Sequence, residues 1–195
     1  NDFDTYLASD WTITNVGTTP SQALTAGDGG LLLLTEAATD DSSTFMQLKV
    51  ASFLPAAGKK MFFKIRCQLS DATQSDMIFG LCGTDTSPLD DTDGIFFQKD
   101  DGDTHLDVYV KKDSTTGQNV ALDIAEVTTA MTSYGFYFDG SDTVAFFIND
   151  VLIKKLDASA AYLPDANLAV LFGVQNGEAV AKTLTVDYIF AAKER

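Results

Sequence analysis

Met61-Phe62-Phe63-Lys64-Ile65-Arg66-Cys67-Gln68-Leu69 decides the fold. Met61, Phe63, Ile65, Cys67 and Leu69 take alternate positions, with Phe62, Lys64, Arg66 and Gln68 between them. Successive side chains of a strand point to opposite faces, so a period of two predicts a strand with one face in a core. The alternation returns in Leu106, Val108 and Val110 against His105, Asp107, Tyr109 and Lys111. It returns again in Leu184, Val186 and Tyr188 against Thr183, Thr185 and Asp187. Strand-like runs also cover 11–15, 30–35, 44–53, 76–83, 94–99, 119–124, 134–139, 143–149, 151–156 and 168–176. About thirteen short strands at roughly ten-residue spacing predict an antiparallel sandwich or barrel.

Turn chemistry separates these runs. Asp100-Asp101-Gly102-Asp103 and Asp139-Gly140-Ser141-Asp142 each join two strands, and Asn149-Asp150 suits a two-residue loop with positive φ. Asn176-Gly177 and Gly27-Asp28-Gly29-Gly30 add further breaks. Helical signals are weak, one turn each at 126–132 and 156–162. Pro20, Pro55, Pro88 and Pro164 all sit between strand-like runs, and no linker or repeat divides the chain. One domain over 1–195 is expected, with 1–7 and 191–195 as either extended arms or frayed ends.

The 195 residues are 45% hydrophobic and 21% charged, enough for a full core without metal or disulfide staples. No apolar run approaches the roughly 20 residues of a membrane-spanning helix. Asn1-Asp2-Phe3-Asp4 opens without a basic segment ahead of an apolar one, so no leader is expected in the chain as it stands. Lys plus Arg is 13 and Asp plus Glu is 28, a net charge of −15. Such a surface repels phosphate backbones and anionic headgroups, so neither nucleic-acid nor membrane partners are expected. Only Glu36, Glu126, Glu178 and Glu194 are glutamate, and the aspartate excess again favours turns over helices.

Chemistry-bearing residues are few. Cys67 and Cys82 lie in apolar runs and read as buried, reduced thiols; a hairpin through Ser70–Ser75 would set Cys67 nearer to Phe79 than to Cys82. His105 is the single histidine and faces away from its apolar neighbours, toward the surface. No Gly-x-Ser-x-Gly elbow, phosphate-cradling loop or Glu-x-Asp-x-Glu strand occurs, and Asp107, Asp123 and Asp187 are isolated acids. No catalytic residue and no cofactor are therefore expected, and the chain reads as a non-enzyme. Of four Asp-rich loops, Asp90-Asp91-Thr92-Asp93-Gly94 is the best calcium candidate, through Asp91 and Asp93; the alternative is solvated turn residues.

The aromatic residues are the less ordinary feature. Phe62-Phe63, Phe96-Phe97, Phe136-Tyr137-Phe138 and Phe146-Phe147 are adjacent within strands. Alternation sends one of each pair to the far side of its sheet, where loops or a partner must cover it. A sugar platform is the third occupant, weakened by the single Trp11.

Three segments carry a resemblance: Asp93 to Asp103; Tyr134 to Gly140 with Val144 to Asp150; and Val174 to Glu178 with Lys182 to Ile189. The middle one resembles the paired strands of concanavalin A-like and laminin-G-like jelly rolls, with Asp150-Val151 where that family usually has a Gly in the turn. The whole set, with Phe3 to Thr14, is similar to small virion proteins of tailed bacteriophages. The resemblance implies an all-β, single-domain jelly-roll sandwich of the concanavalin A-like kind. It implies a structural decoration or cement protein on the outer capsid surface, made in a bacterial host cytoplasm. Its partners would be the major capsid protein and further copies of itself, a trimer on geometric grounds. The alternative it leaves open is a carbohydrate-binding module on the virion, so a glycan partner is retained.

Overall fold

A computed structural model describes residues 1–17, 20–27, 29–113 and 117–195. Asp28, within the expected turn at 27–30, lies outside the described residues. In chain order the strands are β1 (Trp11–Val16), β2 (Ser21–Thr25), β3 (Leu31–Thr35), β4 (Ser43–Leu48), β5 (Met61–Leu69), β6 (Ser75–Cys82) and β7 (Gly94–Lys99). They continue as β8 (His105–Lys112), β9 (Gly117–Glu126), β10 (Thr132–Phe138), β11 (Thr143–Ile148), β12 (Val151–Asp157), β13 (Ala169–Asn176) and β14 (Thr183–Lys193). Two antiparallel seven-stranded sheets result, ordered β1-β4-β13-β6-β7-β8-β9 (sheet A) and β12-β11-β10-β5-β14-β3-β2 (sheet B).

The alternating apolar sets meet between the sheets. From sheet B come Phe63, Ile65, Phe136, Phe138 and Phe146; from sheet A come Phe79, Phe97, Val108 and Phe172. Phe63 stacks on Phe136 at 5.5 Å, and Phe97 meets Phe146 edge-on at 5.2 Å. Such pairs add about 0.5–1.5 kcal/mol each beyond the area they bury. Asn119 Nδ2 donates to the Asp157 carbonyl, tying the β9 edge of one sheet to the β12 edge of the other.

Strand positions follow the alternation closely, and three expectations are corrected. β5 and β6 are not a hairpin: they lie in different sheets, and Ser70–Gln74 crosses between them. That crossing is anchored by Asp71, which accepts from the backbone N–H groups of Thr73 and Gln74. The expected helical turns at 126–132 and 156–162 are strand ends and turns; the short 3-10 turns are instead at Ala8–Asp10 and Pro88–Asp90. β2 is an additional edge strand. Asn149 and Asp150 have φ of 49° and 63°, the left-handed pair that a two-residue hairpin needs.

Both chain ends run along the chain's own body. The Asn1 ammonium donates to the Ile189 carbonyl at 2.7 Å, Phe3 is buried in the core, and 191–193 complete β14.

Candidate functional site

The outer face of sheet A is covered by the chain itself. Phe45, Ile78, Cys82, Phe96 and Leu171 form a second buried cluster there, capped by Leu89 and Tyr109. The cap is the 84–93 loop, which carries the Pro88–Asp90 turn across the sheet. Gln47 on β4 holds it, accepting from the Asp85 backbone N–H and donating to the Asp85 carbonyl. Phe96 lies over Gly80, where a Cβ would fall 2.6 Å from the Phe96 Cβ, and Tyr109 stacks on Phe96 at 4.9 Å. What stays open is a polar hollow beside the loop, lined by Thr92, Gln98, Tyr109, Lys111 and Gln118.

Carboxylates gather at one end of this face. Gln98 pairs in register with Ile78 on one side and Asp107 on the other, which brings the β6 and β8 acids toward the Asp100 turn. Asp76 and Asp107 are both held above the ordinary carboxylate range by burial, with Asp100 adding repulsion to each. Next to them Asp103, His105 and Asp123 place ligand atoms within 4.8 Å of one another. Asp103 raises the His105 pKa through a 2.9 Å hydrogen bond.

The two calcium candidates part company. Asp91 is buried at 2% exposure and pushed up to about 7 by burial. Its Oδ1 accepts from the Asp93 N–H, and its Oδ2 has no partner. Asp93 points elsewhere, toward Asp113 and Asp165. Cys67 and Cys82 are both free and buried, in opposite sheets, and burial raises both thiols.

The outer face of sheet B carries the other half of the adjacent aromatic pairs. Phe62, Tyr137, Phe147 and Tyr188 are half-buried there, and Phe190 is 53% exposed. Phe62 and Phe190 touch at 5.7 Å. Gly135 pairs with Lys64 on one side and Phe147 on the other. Having no side chain, it leaves a cavity of about 280 Å³ walled by Phe62, Tyr137 and Phe147. Lys64 Nζ and Asp150 form a 2.6 Å ion pair at its mouth, beside Ser133. Farther along, Ser133 and the Tyr188 hydroxyl are 3.5 Å apart, and Arg66 pairs with Asp187. A second hollow, lined by Lys60, Ala192, Lys193 and Glu194, shares Phe62 and Tyr137 with the first, so the two form one groove.

This groove combines aromatic walls with charged and hydroxyl groups at hydrogen-bonding reach, the composition of a small-molecule or glycan site. The aromatic doublets signalled it in the sequence. Gly135 and the Lys64–Asp150 pair, 86 residues apart, gave no signal of their own.

No protein-family model and no curated protein matches the chain. Solved structures do. An endo-1,3-beta-glucanase from Streptomyces sioyaensis aligns over 100% of this chain and 94% of that one, at 14% identity and TM-score 0.71. A Bacteroides ovatus GH16 protein, bound to a glucan product, aligns over 98% of both chains at 13% identity and TM-score 0.69. The carbohydrate recognition domain of Emp46p, in its potassium-bound form, aligns over 98% and 94% at 10% identity and TM-score 0.64.

The expectation of a non-enzyme is corrected here. Endo-glucanases are built on this fold, so a missing sequence motif is no ground for excluding glycoside hydrolysis. The physical reason lies in the sheet: carboxyl groups from separate strands, such as Asp76 and Asp107, can share one face without any short motif. At such identities the likeness speaks for architecture, and nothing in it points to a virion role. The chain has the concanavalin A-like jelly-roll fold that these glycan-acting and glycan-recognising proteins share.

Proposed function

We propose that the chain is a carbohydrate-binding jelly roll and that its binding surface is the groove on the outer face of sheet B. The observation that carries this reading is the open cavity over Gly135, walled by Phe62, Tyr137 and Phe147 with the Lys64–Asp150 pair at its mouth. Sugar rings present C–H faces that pack on aromatic walls and hydroxyls that bond to charged and hydroxyl groups. The structural likeness to glucanases and to a carbohydrate recognition domain supports it. The test is affinity electrophoresis against a panel of β-glucans and acidic polysaccharides, with Phe62→Ala/Tyr137→Ala as the comparison. Retention lost in the variant supports the reading, and retention unchanged by it removes the groove from consideration.

Hydrolysis is read from the same samples by release of reducing ends. Asp76 and Asp107 are the residues to substitute, because a general acid requires a carboxyl whose pKa is raised, and burial raises both. Release abolished by Asp76→Asn or Asp107→Asn would make the chain a glycosidase acting from sheet A.

A second reading is favoured by the apolar surface beyond the groove. Val151, Leu152 and Ile153 on the β12 edge and Phe190 on β14 are exposed, Val151 by 61%. A glycan in the groove leaves the β12 residues in water; a protein partner would cover them. In this reading the chain decorates the outside of a tailed-phage head, seated on the major capsid protein and on copies of itself. Its test is copy number in purified tailless heads, measured against the shell protein. Hundreds of copies support decoration; a few, or copies found only with tails, exclude it.

A further inference from the structure

We infer that the groove on sheet B is built for an anionic polysaccharide, a chain of uronic acids, rather than for a neutral glucan. The inference rests on the carbohydrate reading above and adds the charge of the ligand. In a chain with 28 acids and 13 bases, most cations should find a carboxylate. Lys112 does, pairing with Asp165, and Lys182 does, with both Asp71 and Glu178; Lys49, Lys99 and Lys111 form no ion pair among the described residues. On the groove face Lys64 pairs with Asp150 and Arg66 with Asp187, while Lys60 and Lys193 line the second hollow beside Glu194 and form no ion pair among the described residues. Lys155 is the same; it pairs in register with Ala145, whose other neighbour is Tyr137 on the groove wall.

Three ammonium groups without an ion pair thus border one aromatic groove, with Glu194 the acid among them. Lys64 adds a fourth, neutralised by the 77%-exposed Asp150 carboxylate, which a ligand carboxylate can replace without moving the backbone. The groove's two joined hollows suit a ligand of several sugar units, with aromatic contact at Phe62 and Tyr137 where the hollows meet. A neutral glucan needs none of these cations. A polyuronate approaching a molecule of charge −15 needs local cations, and Lys60, Lys155 and Lys193 supply them here.

The test measures binding of the intact chain to polygalacturonate, to neutral mixed-linkage β-glucan and to polyglutamate. A Lys60→Gln/Lys155→Gln/Lys193→Gln variant is run beside it, with thermal unfolding as the check on folding. Polygalacturonate should bind more tightly than the neutral glucan, weaken with salt, and lose at least tenfold in the variant. Polyglutamate should compete poorly, because it lacks rings for Phe62 and Tyr137. Neutral glucan bound equally well and indifferent to the variant would overturn the inference and leave the carbohydrate reading standing. Polyglutamate competing as well as polygalacturonate would overturn it as mere charge attraction. No binding to either polysaccharide would overturn both.

Discussion

The two outer faces of this sandwich begin from the same sequence device and end differently. Each carries aromatic residues from adjacent pairs, and each has a glycine in mid-strand. On sheet A, Phe96 lies over Gly80, Tyr109 stacks on Phe96, and the 84–93 loop closes over both. On sheet B, the space above Gly135 stays open, and Phe62, Tyr137 and Phe147 become walls instead of a lid. A glycine roofed by an aromatic serves packing; a glycine left bare makes a site. What separates them is the connecting loop: ten residues, 84–93, lie over sheet A, whereas β10 and β11 turn back in the four residues 139–142. The second connection is too short to cover anything.

The difference should be measurable as stability. Phe96→Ala removes a side chain that is 1% exposed and should cost about 3–5 kcal/mol in urea unfolding. A cost below about 1 kcal/mol would mean that the 84–93 cap is not a packed lid.

Asp91 sharpens the point through pH. Its carboxyl, ordinarily near 3.8, is pushed up to about 7 by burial within the 84–93 cap. Between those values the unfolded chain releases a proton that the folded chain keeps, so stability falls as pH rises and the loss is complete above about pH 7. Asp91→Asn should flatten that slope and raise stability at pH 8 by on the order of 2 kcal/mol. Denaturant titrations at pH 5 and pH 8 check it; an unchanged slope would mean that Asp91 is ionised in the folded state. Glu36, likewise buried and raised to about 7, contributes in the same direction and is the control substitution.

Gly135→Ala puts a methyl on the groove floor, 2.8 Å from the Phe63 carbonyl oxygen. A stability cost of about 1–2 kcal/mol is expected, with weaker glycan retention at temperatures where the variant stays folded. Retention at the wild-type level would show that the floor of the cavity is not used. The smallest effect belongs to Phe190→Ala, on the open face. It should change stability by less than about 0.5 kcal/mol, as surface substitutions do, while lowering retention beside Phe62.

The strands were legible because a core on one face leaves a period of two. β2 was not: Ser21-Gln22-Ala23-Leu24-Thr25 is an edge strand with little to bury, so its pattern is faint. The fate of Ser70–Gln74 was not legible either, since alternation tells which face a residue takes but not which sheet its strand joins. The same limit hid that Asp76 and Asp107 share the outer face of sheet A, which follows from the register of both strands with β7. The groove was half legible. Phe62-Phe63, Phe136-Tyr137 and Phe146-Phe147 announced aromatics on a far side, but nothing in the sequence separates sheet B, where they stay open, from sheet A, where Phe96 is covered.

Backbone amide NMR during titration with short oligogalacturonates and mixed-linkage glucan oligomers tests most directly where a glycan sits. Shifts concentrated at Phe62, Lys64, Gly135 and Tyr137 are the expected result. Shifts at Gln98, Asp107 and Tyr109 with the Gly135 region unmoved would place the glycan on sheet A and contradict binding in the sheet B groove.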